Sequence, residues 1–212
     1  MKKILAAVIA LSCLSAVRLP AQTFNWSTPA KYGTGEQSSV SMNSSGLVVE
    51  VHKSQTSNTL FYHVVKLNRS NGTVTWGKSQ VTTTKAKAAA NPSVALTQNS
   101  NVIIVFDDTL LHLRYMTGTL NPTGSVDQSM NWVVTDTQYD TGRAPQISVK
   151  SSGTFVEVHQ NNDDARKLFY RYGYVDPNTS SPNITWTSGT RGIPYEIGAS
   201  AHISLKRPIY PG

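Results

Sequence analysis

Two short phrases carry the residues best equipped for chemistry. Glu50-Val51-His52 and Glu157-Val158-His159 each set a carboxylate and an imidazole two residues apart. On an extended strand that spacing projects both side chains from one face. Each pair could then accept and donate hydrogen bonds to a polyhydroxylated ligand, and Tyr62 or Tyr170 could offer an aromatic face to a sugar ring. Glu50, His52, Tyr62, Glu157, His159 and Tyr170 are therefore the candidate ligand-binding residues. The plain alternative is that each Glu and His satisfies buried polar groups between neighbouring elements. Two ligands per phrase are too few for a metal ion without a third from elsewhere, so neither a metal nor a cofactor is expected.

The elements that must position these pairs recur along the chain. All four tryptophans, Trp26, Trp76, Trp132 and Trp186, close short strand-like phrases such as Val74-Thr75-Trp76 and Ile184-Thr185-Trp186, at separations of 50, 56 and 54 residues. A second phrase alternates small and apolar residues, as Ser39-Val40-Ser41-Met42, Ser93-Val94-Ala95-Leu96, Gln146-Ile147-Ser148-Val149 and His202-Ile203-Ser204-Leu205. Three copies follow a Tyr-x-x-Gly step at Tyr32, Tyr139 and Tyr195, where glycine is expected to supply the left-handed angles of a turn. In the other copy Ala86 and Ala89 replace both residues.

A third phrase, rich in β-branched residues, is Leu47 to His52, Val102 to Asp107 and Thr154 to His159. Aligned by its apolar start, the middle copy has Val105 and Asp107 where the others have Glu and His. A fourth phrase ends in tyrosine, at Tyr62, Tyr115 and Tyr170, and turn residues such as Asn71-Gly72 and Pro177-Asn178 follow. No helical period or helix cap is visible. Four short strands in about 50 residues is the arithmetic of a propeller blade. The fold expected is all-β, with propeller-type four-stranded antiparallel blades, three complete and a fourth incomplete. The repeats run over about 26–76, 76–132, 132–186 and, in part, 186–212. A sandwich is the alternative, though it would show stricter alternation and no fixed repeat length.

Tyr-Asp-x-Gly-x-x-Pro, Val-Glu-Val-His and Leu-Phe-Tyr, with each unit ending at Ile-Thr-Trp, resemble repeats of bacterial secreted β-propeller modules, some lectin-like and some attached to phospholipases. The resemblance covers about Thr23 to Leu205. It implies a propeller fold and, for lectin-type members, glycan binding at repeated sites near blade boundaries. Blades of this type host many activities.

Lys2 and Lys3, the apolar run from Ile4 to about Ala16 and the small-residue site at Leu19-Pro20-Ala21 read as a secretory signal peptide over residues 1–21. The repeat β domain then occupies 22–212 and is expected outside the cytoplasm, either extracellular or periplasmic. The run is too short to span a bilayer. The single cysteine, Cys13, falls within it, so stability must come from packing. Cleavage before Cys13 as a lipoprotein would rely on Ala10-Leu11-Ser12, a poor lipobox.

Lys2, Lys3 and Arg18 leave with the leader, which lowers the formal charge from +7 to +4. The remaining basic residues are scattered, so nucleic acid is not an expected partner. Glycosidase chemistry needs two carboxylates across one cleft, and Glu50 and Glu157 recur as repeat equivalents. Hydrolase elbows, phosphate loops and dinucleotide fingerprints do not occur. The expectation is a non-catalytic, lectin-like module. The alternatives are a structural or interaction module whose open fourth blade is completed by further copies, and a glycosidase-like propeller.

Overall fold

The computed structural model describes residues 34–82, 90–162, 167–189, 191–198 and 202–205, and every described regular element is a β-strand. The leader, Trp26, Tyr32 and the Ala86/Ala89 step lie outside the described residues.

Three antiparallel sheets follow one another along the chain. The first contains β1 (Glu36–Met42), β2 (Leu47–Lys53), β3 (Leu60–Leu67), β4 (Val74–Trp76) and β5 (Gln80–Val81). The second contains β6 (Ala90–Leu96), β7 (Asn101–Asp107), β8 (His112–Thr119) and β9 (Asn131–Thr141). The third contains β10 (Arg143–Val149), β11 (Thr154–Gln160), β12 (Lys167–Val175), β13 (Ile184–Trp186) and β14 (Ile193–Ile197). In each sheet the first three strands pair in sequence order, and the outermost line of chain is either one long strand, β9, or two short ones, β4 with β5 and β13 with β14.

The described indoles sit at equivalent places. Trp76 pairs with Val65, Trp132 with Gly118 and Trp186 with Gly173, each on the third strand of its sheet. Trp132 meets Tyr62 of the first sheet edge-on at 5.8 Å, and Trp186 meets Tyr115 of the second at 6.3 Å. Trp132 and Trp186 are thus packing anchors between successive sheets, and the contact adds directional aromatic attraction to the area they bury.

Two cores lie between the sheets. Val49, Val51, Leu60, Tyr62 and Val64 of the first sheet pack against Val94, Leu96, Val102, Ile104, Phe106 and Met116 of the second. The opposite face of the second, with Ala95, Ile103, Val105 and Tyr115, packs against Ile147, Phe155, Val175 and Ile184 of the third. A strand buried on both faces has no polar side to alternate with, which is why β7 is an almost continuous apolar run.

The first strands of the sheets meet through serine. A strand at a sheet edge leaves every second N–H without a strand partner, and buried N–H groups must find an acceptor. Val94 and Leu96 donate to the hydroxyls of Ser39 and Ser41 at 3.1 and 3.0 Å. Ile147 donates to Ser93 at 3.1 Å, and Leu205 to Ser148 at 3.1 Å. The positions equivalent to a donor's missing serine are Ala95 and Gln146, and neither side chain can supply that hydroxyl. The alternating small residues of this phrase are the joints between units. Each first strand also carries a bulge with a left-handed residue at the same place, Gln37, Asn91 or Ala144, at φ of 54, 45 and 51°. The bulge bends the strand as it enters the stack.

Ser93→Ala leaves the buried Ile147 N–H without its acceptor and is expected to cost about 1–3 kcal/mol. Urea unfolding checks it, with the exposed Ser38→Ala as control; equal midpoints for the two variants would contradict the joint.

Candidate functional site

Cross-strand register fixes which residues are equivalent. Leu60 lies opposite Lys53, Leu113 opposite Asp107 and Leu168 opposite Gln160. Glu50 and His52 therefore match Glu157 and His159 in the third sheet and Ile104 and Phe106 in the second. This corrects the alignment by apolar start: the counterparts are not Val105 and Asp107. Asn101 occupies the place of Leu47, where its buried side chain donates to the Asp176 carbonyl at 3.0 Å, so the apolar run begins one residue late.

The Glu-x-His pairs are buried. His52 Nδ1 lies 3.0 Å and His159 Nδ1 3.0 Å from the carboxylate two residues before it, and all four residues are at most 5% exposed. Each imidazole stacks on the aromatic ring opposite, His52 on Phe61 at 6.0 Å and His159 on Phe169 at 5.8 Å. Each also closes against a glycine. A Cβ on Gly35 would come within 2.3 Å of the His52 ring, and one on Gly142 within 2.9 Å of the His159 ring. The Tyr-x-x-Gly glycines were expected to serve a left-handed turn, yet Gly35 and Gly198 do not have positive φ. At Gly35 what glycine supplies is room for the imidazole; Gly142 keeps a positive φ of 157° and clears the Gln160 carbonyl as well as the imidazole.

Register adds a third residue to each pair. His63 stands directly opposite Glu50, and Arg171 directly opposite Glu157. His63 Nδ1 lies 2.8 Å from the Gly77 carbonyl, and its ring meets Trp76 edge-on at 5.8 Å. Arg171, 2% exposed, donates to the carbonyls of Tyr139 and Gly189 and lies 4.4 Å over the Trp186 ring, a cation–π geometry. The second-sheet counterparts, Ile104, Phe106 and Met116, are fully buried and apolar. Sequence reading singled out neither His63 nor Arg171. The signal was their place just after the recurring tyrosine, opposite the glutamate once the strands pair.

Tyr62 is also a joint. Its hydroxyl accepts from the Met130 N–H at 2.8 Å and donates to Gln80 Oε1 at 3.1 Å. Burial raises its pKa, with the Met130 N–H opposing. Tyr170 is half-buried, 5.8 Å from Tyr195 and 6.4 Å from Tyr172, whose rings are exposed.

Of the six candidates, His159 lines an open pocket. This pocket, of about 630 Å³, is bounded by Gln138 to Thr141 at the end of β9 and by His159, Asn161, Phe169, Arg191 and Gly192 of the third sheet and its loops. Asp140 is fixed there, accepting from the Gly192 N–H at 2.8 Å and the Thr141 N–H at 2.9 Å. The hydroxyl of Tyr139 is buried in the wall; desolvation, with the Glu157 carboxylate adding to it, raises its pKa well above the ordinary value. Phe169 contributes an apolar face and Gln138, Asn161, Asp140 and Arg191 supply polar groups, a mixture suited to a polyhydroxylated ligand.

No protein-family model and no curated protein matches this chain. Among solved structures, the GH43 endo-arabinanase from Bacillus licheniformis is similar at 14% identity and a TM-score of 0.36. The match covers 74% of this chain and 58% of that one. A likeness of that depth carries no argument about activity.

A second polar knot sits where β7 turns into β8. Asp108 accepts from the Leu110 and His112 N–H groups, the His112 ring and Arg114, and Arg114 also bonds Asp136 at 2.9 Å. Burial alone would raise the Asp108 pKa, but these hydrogen bonds outweigh it and hold the carboxyl below its usual value. Its contribution to stability is therefore complete above the unfolded carboxylate's pKa of about 4 and is lost as pH falls through the lower folded value. Neighbouring Asp107 is raised by burial, against bonds from Ala144 and Asn91, and acts in the opposite sense. Asp108→Asn is expected to be less stable than the unmodified chain at pH 7, with the gap narrowing towards pH 3. Thermal unfolding across that range checks this; a gap independent of pH would contradict the assignment.

Proposed function

We propose that this chain is a secreted, non-catalytic propeller-type module that binds carbohydrate in the pocket between its second and third sheets. The observation that carries the reading is the composition of that pocket: the Phe169 ring stands beside Gln138, Asp140, Asn161 and Arg191 around an open volume of about 630 Å³. Sugar recognition combines an apolar platform for the ring's C–H face with a few fixed polar groups for its hydroxyls.

The propeller reading draws on repeated sheets joined at their first strands by the same serine contacts. The leader at residues 1–21 supports export. Among the described residues, Asp140 is the carboxylate that lines the pocket. Glu50, Tyr62 and Glu157 belong on this view to the supporting structure, and His159 and its stacked partner Phe169 form the link from that structure to the ligand.

A glycan array with the purified mature chain is expected to identify a bound sugar. Phe169→Ala and Arg191→Ala should each weaken binding roughly tenfold or more, equivalent to about 1.4 kcal/mol, with the fold intact by circular dichroism. Binding to no sugar at any concentration, or unaltered binding by both variants, would remove this reading.

A further inference from the structure

We infer that this chain associates head to tail with a second copy of itself, the phrase His202-Ile203-Ser204-Leu205 of one copy lying against β1 of the next. The serine contacts between first strands have one form wherever they are made. The second residue of the phrase donates its N–H to the first residue of the preceding phrase, as Val94 does to Ser39 and Ile147 to Ser93. The fourth donates to the third, as Leu96 does to Ser41 and Leu205 to Ser148.

On β1 the second and fourth places are Val40 and Met42. Val40 lies opposite Glu50 in the register that sets Val94 opposite Ile104 and Ile147 opposite Glu157. Its N–H therefore points, like theirs, away from the neighbouring strand of its own sheet. Among the described residues no side chain accepts from Val40 or Met42. Their side chains are 65% and 52% exposed, whereas Val94, Leu96 and Ile147 at the same places are 4%, 5% and 6% exposed. Apolar side chains left in water at places that the other repeats bury mark a contact surface.

Ser204 stands in the third place, that of Ser41 and Ser148. It is exposed, and among the described residues no N–H donates to it. The outward edge of β1 and the segment 202–205 are thus the two halves of a joint that this chain already makes between its own sheets. A partner for β1 must present a hydroxyl in this phase on an extended segment, and the chain carries that segment itself. In a second copy the Met42 N–H donates to Ser204, and Val40 faces His202 in the first place. The two surfaces differ, so each copy can use both at once, and the contact either closes a ring or extends a filament.

Sedimentation velocity on the chain without residues 1–21, with no saccharide present, tests this. The sedimentation coefficient is expected to rise with concentration. Met42→Glu, which sets a carboxylate on the donor strand, and Ser204→Lys, which removes the acceptor, should each weaken association roughly tenfold or more, the scale of one lost buried hydrogen bond. The exposed Ser38→Ala should leave it unaltered. Met42 and Ser204 are exposed in the single chain, so the melting temperatures of the monomeric variants should match that of the unmodified chain. Disulfide trapping reads the direction, because residues 22–212 contain no cysteine. A mixture of Met42→Cys and Ser204→Cys should cross-link between the two variants in preference to within either. A monomer at every concentration, association unaltered by both Met42→Glu and Ser204→Lys, or cross-links within each variant in preference to mixed ones, would overturn the joint. None of these readouts depends on whether a glycan binds.

Discussion

Edge N–H groups meeting serine hydroxyls are the constraint on which the rest of this structure depends. Each first strand has a neighbour on one side only, and its outward N–H groups lie at a junction between sheets where water is scarce. A serine two residues from another serine, or a single one, on the preceding first strand supplies the acceptor at 3.0–3.1 Å. That bond sets both the spacing and the phase of successive sheets. Once the phase is set, Trp132 falls against Tyr62 and Trp186 against Tyr115, and the two apolar cores close.

The same phase decides where polar side chains can be buried. The face of the second sheet that meets the first has the apolar Ile104, Phe106 and Met116 at the positions of Glu50, His52 and His63. The corresponding face of the third sheet holds Glu157, His159, Arg171 and Trp186, with Tyr139 of β9 in the second sheet packed against Arg171 and Trp186. A partly satisfied polar group in a core costs more than an apolar one of similar volume. The positions are accordingly replaced as a set. The pocket beside His159 arises where this polar set reaches the rim of the stack.

Much of the fold was legible because the repeats carry their own landmarks. The tryptophans mark the outer strand, the serine phrase the inner one and the tyrosine the third, and the described copies occupy equivalent places. What could not be read was register within the continuous apolar run of β7. A slip of one residue exchanges the two faces of a strand, and a strand buried on both faces has no alternation to reveal the slip. Hence Val105 and Asp107 were aligned where Ile104 and Phe106 belong. His63 and Arg171 escaped notice for a related reason: they lie far from the glutamates along the chain and meet them only through strand pairing. Pocket residues such as Gln138 and Arg191 come from different sheets and their loops, and no periodicity announces them.

Amide hydrogen exchange followed by NMR tests the central claim most directly, because the serine positions are not complete. The Leu96 N–H has Ser41 as acceptor, while the equivalent Val149 N–H faces Ala95, which has no hydroxyl. The account predicts strong protection at Val94, Leu96 and Ile147 and markedly faster exchange at Val149. Equal protection at Leu96 and Val149 would contradict it.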